Sequence, residues 1–232
     1  MTIPTLPSTL ALRHVPPGPY AIEPWTEVRP LVDGRDVLAD IHPDGVSSCS
    51  ARDWVRPPGE WPLSAPEEPR EVELSNNNCH TDCCGGVFVT IRREGDRVVW
   101  SSWRNTNDTR VPVPAEVRFD AAEYDAELAR AAADKTWEEP VDTVARLTAT
   151  ELTDSGWFER WDCVLENVSI VREEPLGVEV YFSQRMDRPA RSNGPRFAFE
   201  LPVTRDEPAE AQARRFIDLI MADDPRETAD RF

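Results

Sequence analysis

The stretch from Val87 to Trp103 constrains the fold of this chain more than any other. Val87, Val89 and Ile91 alternate with Phe88 and Thr90, Glu94-Gly95-Asp96 offers a turn, and Val98 to Trp103 runs back. Alternation at period two around a glycine-containing turn is the pattern of a β-hairpin. Large side chains fall on both faces, so water cannot be left against either one. The pattern therefore predicts a hairpin inside a sheet rather than at its edge.

Other elements follow from the same reasoning. Trp25 to Val32 reads as a strand, Asp33-Gly34 as a two-residue hairpin turn, and Val37 to Ile41 as the returning strand. Glu71 to Leu74 is a short strand. Asp120 with Glu123 forms a capping box and Phe119 with Tyr124 a hydrophobic staple, which opens a helix carrying Tyr124, Leu128 and Ala131 or Ala132 inward. A second helix is expected from Glu138 to Thr153, with Pro140 in its first turn and Asp154-Ser155-Gly156 at its end. Trp157 to Val171 reads as a strand whose parity slips between Leu165 and Val168, predicting a bulge near Glu166-Asn167. Strands from Val178 to Phe182 and Phe197 to Val203, then a helix from Glu207 to Ala222 stopped by Pro225, complete the chain.

This order predicts an α+β fold: largely antiparallel sheet, about three helices and long Pro-rich loops. Prolines crowd residues 1–24, expected as an extended N-terminal arm, and residues 42–70, expected as a wrapped connection held to the core by Trp54 and Trp61, with a lid over a site as the alternative. Residues 25–232 are then one domain, with a sub-division near 118.

Charge narrows the classes of function. The formal net charge is −17, which repels nucleic-acid phosphates and anionic lipid. Residues 1–118 carry net −5 and residues 119–232 net −12. No apolar run is long enough to span a bilayer, and Met1 to Val15 lacks the layout of an export signal, so a cytoplasmic protein is expected. Lys135 is the single lysine beside 25 arginines, a bias that fits either a GC-rich bacterial genome or salt adaptation.

Three of the five cysteines and one of the three histidines lie in Cys79-His80-Thr81-Asp82-Cys83-Cys84-Gly85-Gly86. Thiolates and a neutral imidazole are ligands suited to zinc. Cys79 and Cys83, four apart, could share an ion in a turn, with His80 or Cys84 as a third ligand and Cys49 or Asp82 as a fourth. The adjacent pair Cys83 and Cys84 is hard to direct at one tetrahedral ion. The same thiols would also serve as small apolar side chains at a strand entrance. Nucleophilic catalysis would pair one of these cysteines with His80, His42 or His14 and with Asp82 or Asp108. The catalytic set stays unknown. A second candidate is the basic loop from Gln184 to Arg196, where Arg185, Arg188, Arg191 and Arg196 could bind an anion or pair with the chain's own acids.

The cysteine cluster, the hairpin Gly95-Asp96-Arg97-Val98-Val99-Trp100 and the helix start Phe119-Asp120-Ala121-Ala122-Glu123-Tyr124 come in a familiar order. Together they make residues 79–128 resemble a group of uncharacterised bacterial cytosolic proteins. That group begins its cluster Cys-x-Cys, whereas here His80-Thr81 follows Cys79. The resemblance implies a shared fold segment and brings no activity with it.

Two functions of different class are expected. One is a non-enzymatic interaction protein of the inhibitor or immunity type, using its acidic surface to bind a basic protein. The other is a zinc- or thiol-dependent enzyme or sensor centred on Cys79 to Cys84. No cofactor other than zinc is implied.

Overall fold

The computed structural model describes residues 6–18, 25–55, 58–79, 81–185 and 195–232. The hairpin is present as β6 (Gly86–Glu94) and β7 (Arg97–Asn105). It lies inside a five-stranded antiparallel sheet of order β4-β5-β6-β7-β8, with β4 (Val46–Ser47), β5 (Arg70–Asn76) and β8 (Val117–Asp120) around it. One face is fully buried at Val87, Val89, Ile91, Val98 and Trp100; on the other, Val99 is buried and Phe88 and Thr90 are half-buried. The protein is α+β, and it divides into two compact units, residues 1–137 and 138–232.

In the first unit the sheet's core is aromatic. Trp100 meets Phe119 and Tyr124 edge-on, at 5.4 and 6.3 Å between ring centroids. Its indole N–H donates to the Tyr124 hydroxyl, 3.2 Å, which donates in turn to the Leu63 carbonyl, 2.6 Å. A buried tyrosine needs such a partner, and here the partner is the long connection. Arg70 adds a second pin, donating from Nη2 to the carbonyls of Pro62 and Ser64 at 2.7 and 3.0 Å. Trp54 is buried against Trp61. The described residues of 42–70 are therefore a wrapped connection, shaped by short 3-10 turns at Ala51–Val55 and Pro58–Glu60.

Three expectations are corrected in this unit. The N-terminal arm contains a strand, β1 (Leu10–Val15), which pairs antiparallel with β2 (Glu27–Val32); β3 (Arg35–Asp36) completes a three-stranded sheet. The free edge of β1 is closed by side chains rather than by another strand. The Leu12 N–H donates to Glu127 Oε1, 2.6 Å, and the Leu12 carbonyl accepts from Arg130, 2.8 Å. Val37–Ile41 is a helix, α1, and not a returning strand. The Asp36 carboxylate decides this by accepting from the backbone of Leu38 and Ala39, the geometry of an N-cap. Finally, the boundary falls after Trp137 instead of near 118. Helix α3 (Ala121–Ala133), capped by Asp120, buries Tyr124 and Leu128 in the first unit's core.

In the second unit, β9 (Cys163–Val171), β10 (Gly177–Gln184), β11 (Arg196–Pro202) and β12 (Asp230–Arg231) form a sheet of order β12-β11-β10-β9. Helices α4 (Pro140–Asp154) and α6 (Ala209–Ile220) cover it, burying Val141, Val144, Leu152, Phe216 and Ile220 with Val178, Val180 and Phe182. The bulge lies where the parity slip puts it: Tyr181 pairs with Asn167 and Phe182 with Leu165, passing over Glu166. The aromatic entry to β9 is a separate short helix, α5 (Trp157–Arg160), which seats Phe158 on Phe182 at 4.7 Å. Pro225 opens another, α7 (Pro225–Thr228), with Asp224 as its N-cap. No helix among the described residues is long and apolar enough to cross a membrane.

Candidate functional site

Within the cysteine stretch, Thr81–Cys84 form one helical turn, α2, between β5 and β6. Asn78 enters it with positive φ, and its N–H donates to Asn76 Oδ1, 2.7 Å. Asparagine tolerates that backbone region through such local bonds. Gly85 closes the turn in the left-handed region, φ +77°, with its N–H on the Thr81 carbonyl, 2.9 Å. A side chain here would strike the backbone of Thr106 and Asn107 at 2.7 Å, so the turn lies directly on the end of β7. Gly86 is held by Thr106, whose hydroxyl accepts from the Gly86 N–H at 2.9 Å and whose N–H donates to the Gly86 carbonyl at 2.8 Å.

Three thiols come together beside this clamp. The sulfurs of Cys79, Cys83 and Cys84 all lie within 4.8 Å of one another, with Cys79 and Cys83 exposed and Cys84 half-buried. Three thiolates round a zinc ion at about 2.3 Å would stand roughly 3.8 Å apart, so side-chain rotation alone could close the set on an ion. Neighbouring Cys83 and Cys84, hard to direct at one tetrahedral ion, nevertheless bring their sulfurs near each other. Cys84 is the last residue of the turn, immediately before the left-handed Gly85, and its sulfur joins the others. Hydrogen bonding with the Cys79 and then the Cys83 thiol pushes the Cys84 thiol up to about 12, because the neutral form is held in the cluster. An ion would have to displace that proton.

A polar chain runs beneath the turn. Asn77 donates through Nδ2 to the Cys84 carbonyl, 2.7 Å, and to Asn107 Oδ1, 2.9 Å. Its Oδ1 faces His42 Nε2 at 3.0 Å, and His42 Nδ1 faces Ser75 Oγ at 2.8 Å. Since Asn77 uses its amide hydrogens on oxygens, His42 carries its proton on Nε2 and accepts from Ser75 on Nδ1. His42 and Ser75 are fully enclosed. Asn105, also buried, donates to the Ile41 carbonyl and accepts from the N–H groups of Asn107 and Asp108. Asn77, Ser75 and Asn107 were not singled out in the sequence. The signal available was the run Asn76-Asn77-Asn78 directly before Cys79.

The remaining candidates are placed elsewhere. His80 lies outside the described residues. Cys49 is buried and Cys163 sits in the second unit's core, burial pushing both thiols up. His14 stacks on Trp137 at 5.4 Å and faces Asp134; burial lowers its pKa. Asp108 is held by the Arg110 guanidinium, which brings its carboxyl down to about 2. In the basic loop, Arg188 and Arg191 lie outside the described residues. Arg196 donates to Glu166 at 2.6 Å and so neutralises part of the loop internally, while the backbone of Arg185 donates to the Asp162 carbonyl. Comparison of the chain with protein-family models, curated proteins and solved structures finds no match to any of them.

Proposed function

We propose that the protein binds a soft or borderline ion reversibly through Cys79, Cys83 and Cys84 and works as a sensor or carrier of that ion, with zinc among the ions the residue types suit. The observation that carries this reading is the convergence of three sulfurs within 4.8 Å of one another at the clamped turn. Thiolate ligands select soft and borderline ions. A closed structural zinc site uses four protein ligands, and a site that keeps a position open is one that exchanges or reacts. Cys79 and Cys83 are exposed, which suits exchange. His42, with both ring nitrogens engaged, makes no base for these thiols.

The test is metal content and thiol count on reduced protein, followed by zinc titration of the wild type and of Cys83→Ser. One zinc per chain, lost in the variant, with three thiols protected, supports the reading. A wild type that takes up no zinc or other soft ion overturns it.

The acidic surface favours a second reading, a basic protein partner. Residues 138–232 carry 21 acidic and 12 basic side chains. Arg146, Arg172, Arg196, Arg205, Arg215 and Arg226 already pair with carboxylates of the same unit, so the excess faces outward. Association through such a surface weakens steeply with salt. A partner held equally at low and high salt would exclude it.

A further inference from the structure

We propose that the thiols of Cys79, Cys83 and Cys84 form a three-coordinate receptor for trivalent arsenic, taken up as arsenous acid, in preference to a divalent ion that needs four ligands. This rests on the thiol-site reading above and names its ligand class.

The argument is one of donor count. Zinc is satisfied by four ligands. Among the described residues the cluster stops at three: no histidine, aspartate or glutamate places a ligand atom within 4.8 Å of all three sulfurs. Of the fourth ligands that the sequence offers within them, none joins the set. Cys49 is enclosed, 1% exposed, in the first unit's core. Asp82 shares the helical turn with the thiols and yet its carboxylate is not part of the set. His42 lies beneath the turn with Ser75 on one ring nitrogen and Asn77 on the other. Trivalent arsenic asks for three ligands and no more. It forms a pyramid with three sulfurs, and its lone pair takes the place where zinc would need a fourth donor.

The scaffold suits that ligand in two further ways. The turn is fixed by backbone contacts, Gly85 against Asn107 and Gly86 against Thr106, and by the Asn77 amide on the Cys84 carbonyl. The sulfurs are therefore collected before any ligand arrives, and little ordering cost opposes binding. Two of the three thiols are exposed, which lets a small neutral molecule in. The reaction is a condensation without electron transfer. Arsenous acid holds three hydroxyl groups; each As–O bond is replaced by an As–S bond, each thiol hydrogen leaves with a hydroxyl, and three waters are released. Arsenic stays trivalent and every sulfur keeps its oxidation state.

The experiment uses the full chain reduced with a phosphine, because dithiols would compete for arsenic. Arsenite is titrated with equimolar zinc present, and the readouts are the native thiol count and the intact mass. The expected result is one arsenic per chain, three thiols lost from reaction, and no displacement by zinc. Single Cys→Ser changes at 79, 83 or 84 should weaken arsenite binding at least tenfold. Each variant should still take phenylarsine oxide, which needs two thiols, and this shows that the remaining pair is intact. Displacement of arsenite by equimolar zinc overturns the inference. If His80→Ala then abolishes zinc binding, the site is tetrahedral, and the thiol-site reading stands without the arsenic preference. If neither arsenite nor zinc binds, both readings fall together.

Discussion

Gly85 and Gly34 form a matched pair for testing how closely the thiol turn is seated. Their φ angles are +77° and +78°, so an alanine at either position meets the same backbone strain. Their surroundings differ completely. A Cβ at Gly34 meets nothing within 4 Å, whereas one at Gly85 meets Asn107 Cα, Asn107 N and the Thr106 carbonyl oxygen at 2.7 Å. These are main-chain atoms of the segment after β7 and cannot swing aside as a side-chain tip would. Gly34→Ala should cost about 1–2 kcal/mol, the usual penalty for an L-residue in the left-handed region. Gly85→Ala should cost the same plus about 1–3 kcal/mol for forced displacement of packed backbone. Both positions lie in the first unit, which also holds six of the eight tryptophans, so urea unfolding followed by tryptophan fluorescence reports on that unit. With a urea slope of about 2 kcal/mol/M, the Gly85 variant should unfold roughly 0.5–1.5 M earlier than the Gly34 variant. Its thiols should also lose their joint affinity for a soft ion, because relief of the clash moves Cys84. Equal midpoints for the two variants would refute the close approach on which the clamped site depends.

Tyr124→Phe strands the Trp100 N–H and the Leu63 carbonyl in the core and should cost about 1–3 kcal/mol for each group left unpaired; an urea midpoint within error of wild type would discount the bridge. Asn77→Asp keeps the acceptor facing His42 but loses both donors, so ion affinity should fall about 10–100-fold with the fold retained; calorimetric titration reads it. For His14, burial lowers the folded-state pKa below 6.5, so the unfolded chain binds the extra proton first. Its contribution to stability is complete above about pH 6.5 and declines as pH falls from there toward the lowered folded value. His14→Phe, which keeps the stack on Trp137, should flatten the loss of stability between pH 7 and 5, and an unchanged slope would count against it.

How much of this could be read in advance depended on whether a residue's partner was near in sequence. The β6–β7 hairpin, the Asp120 cap and the Glu166 bulge were legible, because alternation, capping and parity are local patterns. Strand β1 was not. It is a short run between Pro7 and Pro16, and the groups that satisfy its outer edge, Glu127 and Arg130, come from α3, more than a hundred residues later. Val37–Ile41 fits strand or helix equally by composition, and the Asp36 cap was the deciding signal that hydrophobic alternation obscured. At the site, the residue types pointed to soft-ion chemistry, while convergence of the three sulfurs was hidden. On an ideal helix Cys83 and Cys84 would point about 100° apart, yet their sulfurs and that of Cys79 lie within 4.8 Å of one another.

The supports of the thiol turn also bear on what ion removal should do. Small zinc domains fold only when metal binds, because the metal bonds replace a core. Here the core is independent of the thiols: Trp100, Phe119, Tyr124, Leu63 and Leu74 are buried without them, and the turn is tied down by Asn77, Thr106 and Asn107. Chelation should therefore leave far-UV circular dichroism unchanged and the first unit's unfolding cooperative. The bound ion should add only its linkage term, about 2.7 kcal/mol at a hundredfold excess over Kd. Collapse of the fold on chelation would show that the ion, rather than the backbone clamp, gathers the sulfurs, and the preorganised receptor would have to be abandoned.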